Sequence, residues 1–234
     1  HQLDGDSGNY NIPMVYQLRG ALDYHCLQQV FDTIFARHAT LRTRFIEQDG
    51  VPLQWIQPDA DFVLAVTDLT SLPEAQRLQQ QQQLALAEAN IAFDLQHDLM
   101  LRVKLLKIAD DEHLLLMTVH HIVADGWSMG LLAEEFVRLY DAFSQGMANP
   151  LAALPVQYAD FAVWQREWLA GDMLQQQVNF WRQALAGAPA VHNLPLDNAR
   201  PVSQTYNGAW LDASLDLATT EQLKQLAQQH DVTL

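Results

Sequence analysis

Three features follow one another near the middle of this chain: a short apolar run, two adjacent histidines and an amphipathic segment. Residues 114–119 are apolar and β-prone, and a run of this length predicts a buried strand. Residues 129–143 carry apolar side chains at helical spacing, which predicts a helix with one buried face. His120 and His121 therefore lie where a strand ends and a loop leads into a helix. Loops held by such elements often carry the side chains of a functional site.

The adjacency of the two histidines constrains what they do. Neighbouring residues on a strand point to opposite faces, so we expect one of His120 and His121 to pack inward and the other to face a cleft. For the same reason a metal ion shared by the pair is not expected. Asp125 follows in the same loop, where its carboxylate is able to return toward the imidazole or toward a nearby arginine. Gly126 allows a backbone conformation that other residues reach only with strain.

The same periodicity arguments place regular elements along the rest of the chain. Strands are predicted at residues 14–18, 40–47, 51–57, 100–108, 112–119 and 209–217. Helices are predicted at residues 22–38, 73–89, 129–143, 158–169, 174–185 and 220–229. Asp49-Gly50 is a strong hairpin signal, and Asp110-Asp111 marks a second candidate hairpin that delivers the histidine loop. Strands and helices are interspersed, so the predicted fold class is α/β, as a mixed α+β arrangement.

Composition narrows the classes of function. The chain has 28 acidic and 13 basic residues and a formal net charge of −15, whereas a nucleic-acid-binding protein normally carries a basic face. No apolar run of about 18 residues is present, so no membrane-spanning helix is expected. The single cysteine, Cys26, excludes an internal disulfide framework and favours a buried structural thiol. We therefore expect a cytoplasmic protein that binds neither nucleic acid nor membranes.

Breaks in the pattern suggest how the chain is divided. Glycine and proline interrupt it after residue 187, which makes this stretch the best linker in the sequence. Residues 1–187 are predicted to form one lobe, residues 188–208 an inter-lobe linker, and residues 209–234 the incomplete start of a second lobe. The first residues lack a starting methionine and have no signal-peptide character. We expect the chain to be a segment of a longer protein, truncated at both ends.

Ordered motifs connect this sequence with a known family. Residues 120–130, HHIVADGWSMG, resemble the HHxxxDG motif of the condensation domains of nonribosomal peptide synthetases. Residues 37–45, RHATLRTRF, resemble the family's RHExLRTxF element, with Ala39 in place of the usual glutamate. Residues 158–164, YADFAVW, resemble its YxDFAxW element. Two shorter segments, NYNIP and LPLD, match further family positions at residues 9–13 and 194–197.

The resemblance implies a fold and an activity. The family belongs to the chloramphenicol-acetyltransferase-like superfamily, whose two mixed α/β lobes form a V with the HHxxxDG loop at the cleft between them. Its members form a peptide bond between a donor acyl or peptidyl thioester and the amine of an acceptor aminoacyl thioester. Both substrates arrive on the 4′-phosphopantetheine arms of upstream and downstream peptidyl carrier domains, with an adenylation domain adjacent. No cofactor or metal bound directly by the chain is expected.

The motif also assigns roles to individual residues. His121 matches the second histidine and is the expected catalytic residue, since an imidazole titrates near neutrality. Whether it acts as a general base, positions the amine or stabilises the tetrahedral intermediate stays open. His120 is expected to be structural. Asp125 is expected to be scaffold, and the family's equivalent aspartate pairs with an arginine, for which Arg42 and Arg44 are the candidates.

The remaining motif residues are assigned to the loop and to the cleft around it. Gly126 is expected to supply tight backbone geometry and an amide near the oxyanion. Trp127 and Ser128 are candidate walls of the cleft, although Trp127 is equally suited to a core. Tyr10 and Asn11 are candidate residues flanking the cleft.

Several alternatives to the first choice remain. Within the family, the segments around Tyr10 and Trp127 look most like the subtype that accepts an L-configured donor. An epimerisation domain or a stand-alone acyltransferase dependent on coenzyme A has the same fold. A third class is a non-catalytic fragment that only docks carrier domains, and the truncated chain by itself could be inactive.

Overall fold

The computed structural model describes residues 8–191, 194–202, 211 and 213–234. Within these residues the chain forms six strands and six α-helices. The strands are β1 (Asn11–Arg19), β2 (Thr43–Gln48), β3 (Val51–Ile56), β4 (Ala65–Asp68), β5 (Leu101–Ala109) and β6 (Glu112–His120). The helices are α1 (Tyr24–Arg37), α2 (Glu74–Asn90), α3 (Gly126–Ser144), α4 (Tyr158–Trp168), α5 (Gly171–Ala184) and α6 (Leu217–Gln229). The predicted mixed α/β class is confirmed.

Among the described residues the main sheet has four strands, in the order β1-β6-β5-β4. Strand β6 is central and pairs antiparallel with both β1 and β5, so the predicted hairpin across Asp110-Asp111 is confirmed. Pro13 lies within β1, which is an edge strand, as expected for a residue that cannot donate to a ladder. Strand β4 was not predicted; it runs parallel to β5, and α2 forms the crossover between them.

A second, two-stranded sheet consists of the β2–β3 hairpin. Its turn residues Asp49 and Gly50 have φ angles of 54° and 76°, which are typical of the mirror-image turns that suit hairpin twist. This confirms the hairpin predicted from Asp49-Gly50. Strand β2 begins at Thr43 rather than at residue 40, because Ala39–Arg42 form a 3₁₀ turn after α1.

The core lies on both faces of the main sheet. Alternation along β6 sends Leu115, Met117 and Val119 toward α1 and α3, where they join buried side chains of both helices. Leu116 points the other way and packs with Leu69, Leu106 and Ile108 beneath α2. Cys26 of α1 is buried, as predicted, and desolvation raises the pKa of its thiol. The strand that leads to the histidines is therefore held from both sides.

Two predictions about the later elements need correction. Helix α3 begins at Gly126 and not at residue 129, because Asp125 caps it. In the strand predicted at residues 209–217, positions 209, 210 and 212 lie outside the described residues. Residues 213–216 have no regular structure and Leu217 begins α6, so that part of the prediction is wrong.

Helix α4 carries a row of aromatic side chains. The spacing of Tyr158, Phe161 and Trp164 predicts that they share one helical face and pack within the lobe. Their rings do form a row, with centroids 5.8 Å and 5.6 Å apart, and Trp168 stacks on its end at 5.6 Å. All four rings are exposed in the described part of the chain, however, so packing of this face within the lobe is not observed.

The contacts divide the chain into two compact units, His1–Ala188 and Pro189–Leu234. The first contains both sheets and helices α1 to α5, and the second contains α6. Asp216 caps α6 by accepting a hydrogen bond from the Thr219 N–H at 2.7 Å. None of the described helices combines the length and the apolar character needed to cross a bilayer.

Candidate active site at the end of strand β6

The two histidines separate where β6 ends. His120 is the last residue of the strand and is only 3% exposed, whereas His121 lies in the following turn with its imidazole exposed. The main chain is fixed on both sides: the His120 N–H donates to the Met100 carbonyl at 3.1 Å, and the His121 N–H donates to the Tyr10 carbonyl at 2.8 Å. The predicted division into one inward and one outward histidine is confirmed.

The ring of His120 sits in an aromatic environment. Phe93 meets it edge-on with centroids 5.6 Å apart, and the ring of Tyr10 lies at 5.9 Å. Its Nδ1 accepts a hydrogen bond from the Ile122 N–H at 3.0 Å, which assigns the proton of the neutral ring to Nε2. Burial lowers the pKa of His120 to about 4. His120 is therefore neutral at pH 7 and braces the turn that presents His121.

We expect His120 to make stability depend on pH. Its pKa is near 6.5 in an unfolded chain and about 4 in the folded protein, so between these values the unfolded state binds the extra proton. Stability is therefore full above pH 6.5 and falls as the pH is lowered toward 4. Urea unfolding of wild type and His120→Leu at pH 7 and pH 5 measures this, and the wild type should lose more. Equal losses would contradict the assignment.

The carboxylate of Asp125 caps α3. Its Oδ1 accepts hydrogen bonds from the Ser128 N–H at 2.9 Å and from the Ser128 hydroxyl at 2.7 Å, while the Ser128 Oγ lies 3.3 Å from the Asp125 N–H. These reciprocal contacts form a capping box. The hydrogen bonds from Ser128 lower the pKa of the Asp125 carboxyl. Asp125 thus caps α3, and Ser128 is its partner.

We predict that Asp125→Ala lowers the melting temperature of the protein, because the first turn of α3 loses its acceptor. Asp125→Ser keeps a side-chain oxygen at the cap and should stay close to wild type, even though it removes the charge. Thermal unfolding followed by circular dichroism measures both variants. If the serine variant melted as low as the alanine variant, the charge of Asp125 and not the cap would be responsible.

Neither of the two predicted arginine partners binds Asp125, whose carboxylate is bonded to Ser128 instead, so this pairing is wrong. The guanidinium of Arg42 donates to four backbone carbonyls, which belong to Phe35, Ala36, Gln57 and Pro58. It thereby joins the end of α1 to the end of β3. Arg44 lies on β2, and its Nε is buried without a hydrogen-bond partner among the described residues. The guanidinium of Arg42 is not available to Asp125 because it already binds these four carbonyls.

Gly126 and Trp127 also differ from expectation. Gly126 is the first residue of α3, and its φ is not in the left-handed region. The predicted need for a special backbone conformation is therefore wrong. Outside its own helix backbone and chain neighbours, a Cβ built on Gly126 would meet no described atom within 4 Å. What Gly126 leaves is open space beside the loop. Trp127 is 82% exposed, which excludes the core alternative within the described structure.

Tyr10 and Asn11 lie at the start of β1, beside the loop. Tyr10 supplies the carbonyl that holds His121, and its own ring is partly exposed. Asn11 is directed away from the loop: its Nδ2 donates to the Ala89 carbonyl at 2.7 Å and to the Ile91 carbonyl at 2.8 Å. Tyr10 is therefore adjacent to the candidate site, while the amide of Asn11 fastens β1 to the end of α2.

The charged residues that support the surroundings of His120 were not predicted from the sequence. Arg102 on β5 lies over the face of Phe93, with its guanidinium carbon 3.8 Å from the ring centroid. Arg102 and Lys104 both pair with the buried carboxylate of Glu88, at 2.8 Å and 3.0 Å. These two cations hold the pKa of Glu88 below its usual value against the opposing effect of burial. The sequence did contain a sign of this cluster, because Arg102 and Lys104 alternate with apolar residues along β5.

A second cluster ties the RHATLRTRF segment to α3. Arg37 and His38 both bind the carboxylate of Glu135, at 2.9 Å and 2.6 Å. Gln157, just before α4, donates from Nε2 to the Arg37 carbonyl at 2.9 Å and accepts from the Ala39 N–H at 3.1 Å. The motifs that resemble the family at residues 37–45 and 158–164 thus meet in space and hold the helix behind the histidine loop.

Fold and loop together define the class of protein. A mixed sheet with an interior strand that ends in an HHxxxDG turn, followed by a capped helix, agrees with the chloramphenicol-acetyltransferase-like fold that the resemblance implies. The condensation-domain family model matches residues 1–234, and the chain belongs to that family.

Individual relatives are nonribosomal peptide synthetases. One component of the linear gramicidin synthase of Brevibacillus parabrevis is 40% identical over 233 residues, which cover 100% of this chain and 5% of that protein. Malpibaldin synthetase of Mortierella alpina is 41% identical over 233 residues, covering 100% of this chain and 4% of that protein. The X-domain from teicoplanin biosynthesis, solved in a complex with OxyB, superposes with a TM-score of 0.77 at 30% identity, over 96% of this chain and 49% of that one. The chain therefore spans a small part of its curated relatives.

Proposed function

We propose that this chain contributes to a condensation domain that joins two carrier-bound units through an amide bond, with His121 at the reaction centre. The observation that carries the proposal is the state of the two histidines. His121 presents an exposed imidazole from a main chain fixed at Tyr10, while its neighbour His120 is buried and neutral. The exposed imidazole is accessible to a substrate at the position that the HHxxxDG motif gives to its second histidine.

The chemistry makes definite demands on this site. The acceptor amine attacks the thioester carbonyl, the carbon–nitrogen bond forms, and the carbon–sulfur bond breaks as the donor's phosphopantetheine thiol leaves. One proton leaves the amine and one is needed by the departing sulfur. An imidazole accepts and returns a proton near neutral pH, which as general acid–base catalysis contributes about 10²–10⁴-fold. His121 is the group of the loop suited to that transfer.

Two features near His121 favour an anionic intermediate. The first turn of α3 begins at Gly126, and the N–H groups at a helix start lack intrahelical acceptors and carry partial positive charge. Gly126 also leaves open space in the described structure, so a substrate is able to approach those groups. The Ser128 N–H is already bonded to the Asp125 carboxylate, so the proposed oxyanion contact is with the N–H groups of Gly126 and Trp127. Holding both tethered substrates in register contributes further, up to about 7–11 kcal/mol in well-oriented systems.

We further propose that the donor is L-configured and that the partners are peptidyl carrier domains on either side, with an adenylation domain adjacent, in the cytoplasm. The assignment to the L-donor subtype rests on residues 10–13 and 125–128, which resemble the corresponding segments of that subtype. Both segments lie at the loop: Tyr10 holds the His121 N–H, and Asp125 starts α3.

The test is single-turnover dipeptide formation by the synthetase unit that contains this sequence. One carrier is loaded with an L- or D-aminoacyl group and the other with an acceptor, and the carrier-bound product is detected by mass spectrometry. We expect dipeptide from the L-donor and at least about tenfold less from the D-donor, which corresponds to about 1.4 kcal/mol. If neither the L-donor nor the D-donor gave dipeptide, the proposed activity would be contradicted. Preference for the D-donor would contradict only the proposed subtype.

A further inference from the structure

We infer that Asn11 and Arg102 are positioning residues for His121, since both bind the Ile91 carbonyl at the end of α2 and from there fix the two sides of the histidine turn. The inference rests on the proposed role of His121 and adds residues that the HHxxxDG motif does not contain. It is carried by two chains of contacts that start at one carbonyl oxygen and end at adjacent residues of the loop.

The first chain of contacts runs through β1. The side-chain amide of Asn11 donates to two carbonyls at the end of α2, those of Ala89 at 2.7 Å and Ile91 at 2.8 Å. The Asn11 side chain therefore attaches the start of β1 to the end of α2. Carbonyls at a helix end lack intrahelical partners, so they are available acceptors. The preceding residue, Tyr10, accepts the His121 N–H at 2.8 Å. One peptide unit therefore separates the bond to α2 from the bond to the catalytic residue.

Gly8 shows how closely this segment approaches α2. A Cβ added to Gly8 would lie 2.9 Å from the Asn90 carbonyl oxygen and 3.2 Å from its carbonyl carbon. Such contacts are with backbone and cannot be relieved by rotating a side chain. Residues 8–11 are thus seated on the end of α2 at two separate points, Gly8 and Asn11, before the chain enters β1.

The second chain of contacts runs through β5. Nη2 of Arg102 donates to the Ile91 carbonyl at 2.7 Å and to the Glu88 carbonyl at 3.2 Å, while its Nε pairs with the Glu88 carboxylate at 2.8 Å. The same guanidinium covers Phe93, whose edge contacts His120. The planar fork of arginine makes all these contacts at once, which lysine cannot do.

The two chains of contacts together restrict the turn from both sides. Asn11 acts through Tyr10 on the His121 N–H, and Arg102 acts through Phe93 on the neighbouring ring of His120. Rates of acyl transfer depend steeply on the placement of the catalytic group, and a misplacement of about 1 Å costs on the order of 10²-fold. Loosening the end of α2 should therefore reduce turnover without removing any group that touches substrate.

Amide hydrogen exchange on the 234-residue chain separates positioning from general stability. In Asn11→Ala and in Arg102→Lys we expect exchange at the His121 N–H to accelerate by about tenfold or more, with the Leu115 N–H in the middle of β6 unchanged. Gly8→Ala, which pushes the same segment away from Asn90, should reproduce the effect with Asn11 intact. Lys104→Gln is the matched control, because it removes the other cation of Glu88 without touching Ile91 or Phe93.

Turnover supplies the second measurement. In the synthetase unit, Asn11→Ala and Arg102→Lys should lower kcat by about 10- to 100-fold with KM within about twofold, while Lys104→Gln stays near wild type. Unchanged exchange at His121 in both Asn11→Ala and Gly8→Ala, or a fall in kcat matched by Lys104→Gln, would overturn the inference. Full activity of His121→Ala would instead overturn the proposed function, and the exchange result would still decide the positioning.

Discussion

Replacing His121 by alanine is expected to lower the rate of dipeptide formation by about 10²–10⁴-fold, the range attributed to a positioned acid–base group. The side chain of His121 is exposed, and the hydrogen bond to the Tyr10 carbonyl comes from the backbone N–H of His121, which alanine retains. Truncation therefore removes the proton-transfer group and leaves the turn in place. Single-turnover assays with loaded carriers measure the rate, and the melting temperature should stay within about 2 °C of wild type, since surface substitutions cost little.

Two comparisons sharpen this experiment. His25→Ala removes another exposed histidine, on α1 and outside the loop, and should leave the rate unchanged. His121→Gln keeps a hydrogen-bonding side chain that cannot take up a proton near neutral pH. A glutamine variant as slow as the alanine variant supports acid–base transfer, whereas recovery of most of the rate would favour positioning of the amine. Near wild-type dipeptide formation by His121→Ala would exclude a catalytic role altogether.

A large loss of stability is expected when Phe93 is replaced by alanine. This side chain is 1% exposed and packs between the guanidinium of Arg102 and the ring of His120. Phe93→Ala removes both contacts and leaves a cavity, for which losses of about 3–5 kcal/mol are typical. The remaining Arg102 would also lose the aromatic face that shields it. Urea unfolding monitored by circular dichroism gives the free energy of unfolding, provided that the slope against urea concentration stays the same.

Phe180 offers a matched control for that measurement. It is a phenylalanine of α5 with 60% of its surface exposed, so Phe180→Ala should change the free energy of unfolding by about 0.5 kcal/mol or less. Phe93→Leu restores much of the buried volume without the aromatic face, and we expect it to lie between wild type and the alanine variant. A Phe93→Ala variant within about 1 kcal/mol of wild type would show that the packing around His120 contributes little.

Two features of the structure, the partner of Asp125 and strand β4, were not predicted correctly from the sequence. The predicted pairing of Asp125 with Arg42 or Arg44 was wrong, because Ser128 is three residues away and completes a helix cap with Asp125. The cap was readable in principle from Asp125 and the apolar run after it. Strand β4 was missed because its four residues are too few for a period to emerge, and its pairing with β5 defines it.

The sequence alone determined the features that depend on local geometry. The apolar run predicts a strand that ends at the two histidines, and the spacing of apolar residues places β6 and α3 on either side of the loop. Only the tertiary structure decided what holds the loop, because those contacts join remote positions: Asn11 meets Ala89 across 78 residues, and Arg102 reaches Ile91 across 11. Such bonds depend on how separate elements pack, and no local period encodes them.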